Sequence, residues 1–117
     1  MRYLLLAMAL AWPITVAAQA HSARECSEGS DFIRNAALSR DAGTTHDFFV
    51  ERLENDLVMI RAFPAALRWF VHNADDEVFL RAEVEAVFDT PRNIEQHRSG
   101  FMERCVRRAE RLGAPSG

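Results

Sequence analysis

The stretch TPRNIEQHRSGFMERCVRRAERL, residues 90–112, decides the fold, because it predicts the last helix and carries one of the two cysteines. Thr90 followed by Pro91 is typical of a helix start, with a capping hydroxyl and a proline at the first helical position. One face of this helix is predicted to be apolar, at Ile94, Phe101, Cys105 and Leu112. Arginines crowd its last turns, where the helix dipole favours cations.

The only other cysteine, Cys26, lies near the opposite end of the chain. Residues 1–20 resemble an export signal, and in an exported chain two cysteines favour a disulfide over two buried thiols, because the compartment outside the cytosol is oxidising. We therefore predict a Cys26–Cys105 bond. It would make the first and last helices antiparallel neighbours and close nearly the whole domain into one loop.

Residues 1–20 have the layout of a secretory signal peptide. A basic start at Arg2 precedes an apolar run, and Ala18-Gln19-Ala20 offers small residues for cleavage. We expect cleavage after Ala20, with Ala18 as the second choice. The alternative of an anchor helix is disfavoured because the run is shorter than the ~20 residues that span a bilayer. The sequence thus predicts a periplasmic or secreted protein with no stable membrane anchor.

The rest of the chain is predicted to form one helical domain, residues 21–112, followed by a disordered tail, residues 113–117. The formal net charge of the full sequence is −3, and every positive side chain among the fourteen is arginine. Nucleic-acid binding depends on neutralising phosphates, so we expect no nucleic-acid partner.

Start signals and apolar spacing predict the first two helices. Ser22 and Glu25 have capping-box spacing, and this helix should run to about Arg40. Its inner face should consist of mostly small residues: Cys26, Gly29, Ser30, Ile33, Ala36 and Ala37. Thr44 or Thr45 should cap the second helix. Its apolar stripe should comprise Phe49, Leu53, Leu57 and Ile60, widened by Phe48 and Met59.

Pro64 should end the second helix and open a short one over residues 64–72, with Leu67, Phe70 and Val71 pointing inward. Asn73 should cap a further helix that reaches about Phe88. That helix is apolar over more than half its circumference, so it should lie in the middle of the bundle. No strand-like alternation is present. The predicted fold is all-α, a compact bundle of four main helices plus one short helix.

Two ionisable residues fall on apolar faces and are candidates for a buried polar pair. Glu83 lies amid the apolar face of the predicted fourth helix, and His97 lies between Ile94 and Phe101. A carboxylate in such a place needs a partner or a proton. We expect Glu83 to pair with His97, Arg98 or Arg68. A structural pair, or a side chain that reaches solvent, is favoured over a reactive site.

No metal site, cofactor or catalytic group is predicted. The four histidines lie on different segments without metal-binding spacing. His72 with Asp75 or Asp76 is expected to be a helix junction. Cleavage after Ala20 would make His21 the first residue, whose amine and imidazole could chelate copper, but we expect a mobile terminus there. No activated nucleophile is recognisable either, so the chain is not expected to be an enzyme.

Trp69 is a candidate contact with a partner, together with Arg68. If Leu67, Phe70 and Val71 face the core, Trp69 lies on the opposite side of the short helix. An exposed tryptophan beside an arginine is typical of an interface anchor. A buried Trp69 is the alternative, and the sequence leaves both open.

In the segments RDAG (40–43), RAFP (61–64) and LRWFV (67–71), and in its two terminal cysteines, the chain resembles the small exported helical proteins of proteobacteria. Many of those have no assigned activity. Its size and single disulfide are also similar to those of periplasmic acid-stress chaperones, but it lacks their lysine-rich ends. Neither resemblance implies a particular activity.

These observations favour a non-enzymatic periplasmic or secreted domain that acts through protein–protein contact, as an inhibitor, an immunity protein or a chaperone-like binder. We expect the partner to be another periplasmic or secreted protein. The alternative is a carrier of a small ligand or a metal, with a polar pocket between helices lined by Glu83 and His97.

Overall fold

The computed structural model describes residues 20–113, which form four α-helices and one short 3-10 helix. The helices are α1 (Ala23–Asp41), α2 (His46–Arg61), the 3-10 helix (Ala65–Leu67), α3 (Ala74–Asp89) and α4 (Ile94–Arg111). The predicted all-α bundle of four main helices and one short helix is confirmed. Of the predicted leader only Ala20 lies within the described residues, and of the predicted tail only Gly113.

The disulfide between Cys26 and Cys105 is present, with the two Cα atoms 5.7 Å apart. It joins the start of α1 to the C-terminal half of α4. At the other end of α1, the Arg40 guanidinium donates to the carbonyl oxygen of Arg92, just before α4 begins. The first and last helices are therefore antiparallel, as predicted. The bond spans 79 residues, and closing a loop of that length stabilises the fold by about 4.5 kcal/mol on chain-entropy grounds.

The inner face of α1 is confirmed residue by residue. All six predicted positions are buried: Cys26, Gly29, Ser30, Ile33, Ala36 and Ala37. Gly29 has a particular role, because a Cβ atom there would lie only 2.7 Å from two ring carbons of Phe101 on α4. The small face lets α4 approach closely, and α1 and α4 form the most extensive contact between two helices of the described chain.

Side-chain caps determine where the helices begin. Ser22 and Glu25 form the predicted capping box, and Thr45 caps α2. The predicted start of the last helix is wrong. Thr90 closes α3, since its N–H donates to Ala86, and α4 begins after Asn93, which forms a full capping box with Gln96.

Helix α3 contacts all three other helices, which agrees with its predicted central position. It packs on α1 and α2. Toward α4 it contributes Phe79, whose ring centroid lies 5.5 Å from that of Phe101. Leu80, Val84 and Val87 are completely buried.

The connection after α2 differs most from the predicted structure. Only residues 65–67 are helical, and Leu67 is 73% exposed, whereas Phe70 and Val71 are buried as predicted. Phe70 has a φ of 45°, so the chain turns sharply into the core there instead of continuing a helix. Phe48 and Met59 are also exposed, because they lie at the edge of the α2 stripe and not on it.

Among residues 20–113, no helix combines the length and the apolarity that crossing a membrane requires.

Candidate functional site

Glu83 is buried, as its place on an apolar face suggested, but its predicted partners were wrong. Its carboxylate accepts hydrogen bonds from Arg104 on α4, at 2.9 Å from Nε and 2.7 Å from Nη2. A single arginine that donates from two nitrogens satisfies the hydrogen-bonding needs of a buried carboxylate. Glu83 is therefore a structural link between α3 and α4.

His97 is buried in a different environment, formed by the end of α1 and the α3–α4 connection. Its Nε2 lies 3.2 Å from the Thr90 carbonyl oxygen and 3.2 Å from Nη1 of Arg40. Burial lowers the pKa of His97, and the positive charge of Arg40 adds to this effect, although the bond to Thr90 opposes it. The structure thus gives Glu83 and His97 separate partners, and the predicted polar pocket between them is not formed.

The two other predicted partners of Glu83 also have separate roles. Arg98 pairs with Glu95 one turn earlier on α4. Arg68 donates to the carbonyl oxygens of Phe63 and Arg61, at 2.8 and 3.1 Å. It therefore holds together the irregular connection after α2 and is not a partner of Glu83.

Trp69 is neither an isolated surface anchor nor a sealed core residue. It is half-buried, and its ring lies 5.3 Å from that of Phe32 and 5.6 Å from that of Phe70. One side of the indole remains available, because Trp69 lines a cavity of about 140 Å³ with Leu57, Ile60 and Leu80.

A larger cavity of about 330 Å³ adjoins the first, and both are lined by Phe32, Leu53 and Asp56. Together they form what we call the α1–α2 groove. It runs along α2, from Phe48 near the start of that helix to Ile60 near its end. Aromatic and aliphatic side chains form the floor of the groove, and its polar contributors include Arg52 and Asp56.

Ion pairs hold the other side of α2 against α3. Glu77 accepts from Arg61 and from Arg81, and Arg81 also pairs with Glu54. The hydrogen bond from Arg61 lowers the pKa of Glu77, and that from Arg81 lowers the pKa of Glu54. These ion pairs fix one edge of α2 to α3, and the other edge of α2 lines the groove.

A second polar group lies at the start of α1 and was not anticipated as a unit. We call it the N-terminal cluster: His21, Glu25, His72, Asp76 and Arg108. His21 is only 2% exposed, so the predicted mobile terminus is wrong at this residue. Its Nε2–H donates to the Phe70 carbonyl oxygen at 2.5 Å, and its ring stacks on that of Phe70 with centroids 3.9 Å apart.

Two hydrogen-bonded pairs complete the N-terminal cluster. His72 Nε2 lies 2.6 Å from Glu25 Oε2, and Arg108 donates to Asp76 at 2.8 Å. Asp76 also accepts from the His72 backbone N–H at 2.9 Å, so His72 with Asp76 is a helix junction, as predicted. Burial opposes ionisation of Glu25, but hydrogen bonds from His72 and the Ser22 backbone outweigh it and lower its pKa.

No protein-family model, curated protein sequence or solved structure matches the chain. The resemblance to small exported proteobacterial proteins therefore stays a prediction. The two features of the described residues that invite a functional interpretation are the α1–α2 groove and the N-terminal cluster.

Sequence reasoning named Trp69 and His21 individually but missed both sites. A signal for the groove was available in Phe48, an exposed aromatic residue of α2 that lines the larger cavity. The N-terminal cluster had no local signal, because Glu25 and His72 are 47 positions apart and only the folded connection brings them together.

Proposed function

We propose that this domain is a non-enzymatic binding protein that holds an amphipathic helix of another exported polypeptide in the α1–α2 groove. The observation that carries the proposal is the groove itself. Its floor residues, Phe32 and Leu53, pack with the hydrophobic core, and yet they line an open cavity. Open apolar concavities beside aromatic side chains are typical of binding sites.

The course of the groove favours a helical partner. Along α2 the lining recurs at Phe49, Leu53, Leu57 and Ile60, so the apolar floor runs parallel to the helix axis. A partner helix lying alongside α2 would meet this floor with apolar residues at i, i+3 or i+4, and i+7. Two separate widenings of the groove, of about 330 and 140 Å³, would each accommodate an anchoring side chain.

The rim of the groove supplies further contacts. Phe48 is 56% exposed and lines the larger cavity. Met59 is 67% exposed and lines neither cavity, but it lies three residues after Asp56 and so on the same side of α2. A flexible methionine adapts to the shape of a partner. Arg52 and Asp56 place one charge of each sign beside the groove, which suits a partner helix with charges of both signs flanking its apolar stripe.

The proposal includes the compartment in which the protein acts. A disulfide persists in an oxidising environment, and the predicted signal peptide would deliver the chain there. We therefore propose that the domain is periplasmic or secreted and meets its partner outside the cytosol. A carrier of a small ligand or a metal is the second candidate. The N-terminal cluster favours it, whereas Glu83 and His97 have separate partners and form no pocket.

Photo-crosslinking tests the groove directly. A benzoylphenylalanine at position 48 would lie in the groove, whereas one at position 58 provides a matched control. Val58 is 61% exposed on the same helix but lines neither cavity. In cells that export the protein naturally, we expect capture of a polypeptide from position 48 and not from position 58. The captured segment should have an amphipathic helical sequence.

A synthetic peptide with the captured sequence provides the quantitative step. Of the two tryptophans in the sequence, Trp12 belongs to the predicted leader, so Trp69 is the sole tryptophan fluorophore of the mature chain. Binding of the peptide should shift Trp69 emission, and Phe48→Glu should weaken that binding while Val58→Glu leaves it unchanged. Equal capture from both positions, or a peptide whose binding is insensitive to Phe48→Glu, would contradict the proposal.

A further inference from the structure

Three side chains of metal-ligand type converge at the start of α1. One ligand atom from each of His21, Glu25 and His72 lies within 4.8 Å of the other two. The rings of His21 and His72 are 5.5 Å apart in an edge-on arrangement. The three residues come from the segment before α1, from α1 itself and from the connection that precedes α3, so the fold, and not local sequence, brings them together.

The hydrogen bonds around His21 leave one nitrogen suited to coordination. Its Nε2–H donates to the Phe70 carbonyl oxygen, which places the lone pair on Nδ1. A backbone carbonyl that fixes the tautomer in this way is the usual support of a histidine ligand. Within residues 20–113, Nδ1 has one polar contact, a long one of 3.3 Å from Arg108 Nη1. The principal partner of Arg108 is Asp76, at 2.8 Å, so releasing Nδ1 leaves Arg108 paired.

The ring of His72 offers one of its two nitrogens to the site. Its Nε2 contacts Glu25, but its Nδ1 is buried without any hydrogen-bond partner among the described residues. The two nitrogens of an imidazole ring point in divergent directions, so an ion shared with Glu25 would bind His72 through Nε2, in place of the proton that Nε2 donates to that carboxylate.

The charges around the three residues are compatible with a cation. Glu25 contributes a carboxylate, which lies 2.6 Å from His72 Nε2. The positive charge of Arg108 is balanced by Asp76, which also lies 3.7 Å from His21 Nε2. Cleavage after Ala20, as the sequence predicts, would add the amine of His21 as a fourth donor beside its own Nδ1.

We propose that His21, Glu25 and His72 bind one divalent transition-metal ion, Zn²⁺ or Cu²⁺. Two imidazoles and one carboxylate form a donor set that suits these ions better than Ca²⁺ or Mg²⁺, which prefer all-oxygen ligands. The site is separate from the α1–α2 groove and does not depend on the binding function proposed for it.

The test uses protein exported with its own leader and purified from the periplasm, with its N-terminus established by mass spectrometry. After treatment with a chelator, it is titrated with CuSO₄ and, separately, with ZnCl₂ by calorimetry. We expect one ion to bind per chain, and His72→Asn to weaken the binding by at least about tenfold. The Cu²⁺ complex should show two histidine nitrogens in its electron paramagnetic resonance spectrum, and the variant should show one.

Two variants keep the test decisive. Glu25→Gln preserves the capping box, because glutamine serves at that position, but removes the charged ligand, so it should weaken binding without unfolding α1. His46→Asn is the matched control, since His46 is another histidine beside carboxylates, Asp47 and Glu85, outside the cluster. The proposal is overturned if His46→Asn weakens binding as much as His72→Asn does, or if the folded wild-type protein binds neither ion.

Discussion

Gly29 on α1 lies directly against the ring of Phe101 on α4, so closely that a methyl group on Gly29 would be 2.7 Å from two of the ring carbons. The ring cannot move away easily, because Phe101 is completely buried and Phe70 lies on the same side, 3.0 Å from the position of that methyl group. This contact sets how closely the two disulfide-linked helices approach.

Gly29→Ala should therefore destabilise the fold. Alanine gains about 1 kcal/mol in helix propensity over glycine, but overpacking a tight core costs about 1–3 kcal/mol. We expect a net loss of about 1 kcal/mol in the free energy of unfolding, measured by urea denaturation.

Gly100→Ala is the matched control, since Gly100 is also helical. The atoms nearest to a methyl group there would belong to the Arg104 guanidinium, at 3.1 Å, and the end of that long, partly exposed side chain can shift by the small distance needed while it stays paired with Glu83. This variant should be at least as stable as the wild type. A Gly29→Ala protein as stable as Gly100→Ala would contradict the close approach of α1 and α4.

The bond between Glu83 and Arg104 should appear as an interaction energy in a double-mutant cycle. Leaving one member of a buried ion pair unpaired is costly, although the partial exposure of Arg104 reduces the effect to about 1–3 kcal/mol. Glu83→Ala and Arg104→Ala should together cost less than the sum of their separate effects. The same cycle with Arg98→Ala should be additive, because Arg98 pairs with Glu95. Coupling to Arg98 instead of Arg104 would show that α3 and α4 are packed in a different register.

The contributions of His97 and His46 to the free energy of unfolding should depend on pH in opposite directions. Burial lowers the pKa of His97 from its ordinary value of 6.5, so below about pH 6.5 the unfolded chain takes up a proton before the folded protein does. The contribution of His97 to the free energy of unfolding therefore falls as the pH decreases through 6.5. His97→Gln should lose this dependence, which urea denaturation between pH 8 and pH 5 would reveal as a shrinking difference from the wild type.

The contribution of His46 to stability should change with pH in the opposite direction to that of His97. Hydrogen bonds to Asp47 and Glu85 raise its pKa from 6.5, so its contribution is present below pH 6.5 and is lost as the pH rises through the folded-state value. His46→Asn should differ from the wild type mainly on the acid side. Identical pH profiles for the two variants would contradict the environments assigned to both histidines.

The elements that could be predicted from sequence are those determined by local chemistry. The Ser22–Glu25 capping box and the six-residue inner face of α1 follow from spacing alone, and both are confirmed. The disulfide could be predicted because only one pairing of two cysteines exists.

The two wrong predictions of secondary structure, the start of α4 and the helix after Pro64, lie where one local signal competes with another interaction. Thr90 and Asn93 are both suitable helix caps, and Asn93 prevails because Gln96 completes its capping box while Thr90 closes α3. Residues 64–72 have the composition of a helix. In the structure, however, the Arg68 side chain donates to the backbone carbonyl oxygens of Phe63 and His72, and the chain turns into the core at Phe70. Tertiary contacts overrode helix propensity there.

Sequence periodicity could not predict which residues form hydrogen bonds with the buried polar groups. It placed Glu83 on the correct face of α3, but the choice of Arg104 over Arg98 depends on the axial offset between α3 and α4. The contact of His21 with Phe70 joins positions 49 residues apart, so it depends on the complete fold.

Removing the disulfide should weaken the fold strongly. The bond closes a loop of 79 residues, so Cys26→Ser with Cys105→Ser should lower the free energy of unfolding by up to about 4 kcal/mol in urea denaturation. A loss below about 1 kcal/mol would mean that the helix packing alone sets the antiparallel arrangement.

The intact mass of the protein purified from the cells that naturally produce it, measured after treatment with iodoacetamide and without reductant, tests the central claim most directly. We predict the mass of a chain that begins at His21, lighter by two hydrogen atoms than the reduced form and carrying no alkyl group. A protein alkylated at both Cys26 and Cys105 would contradict the covalent link on which the compartment and the helix arrangement depend.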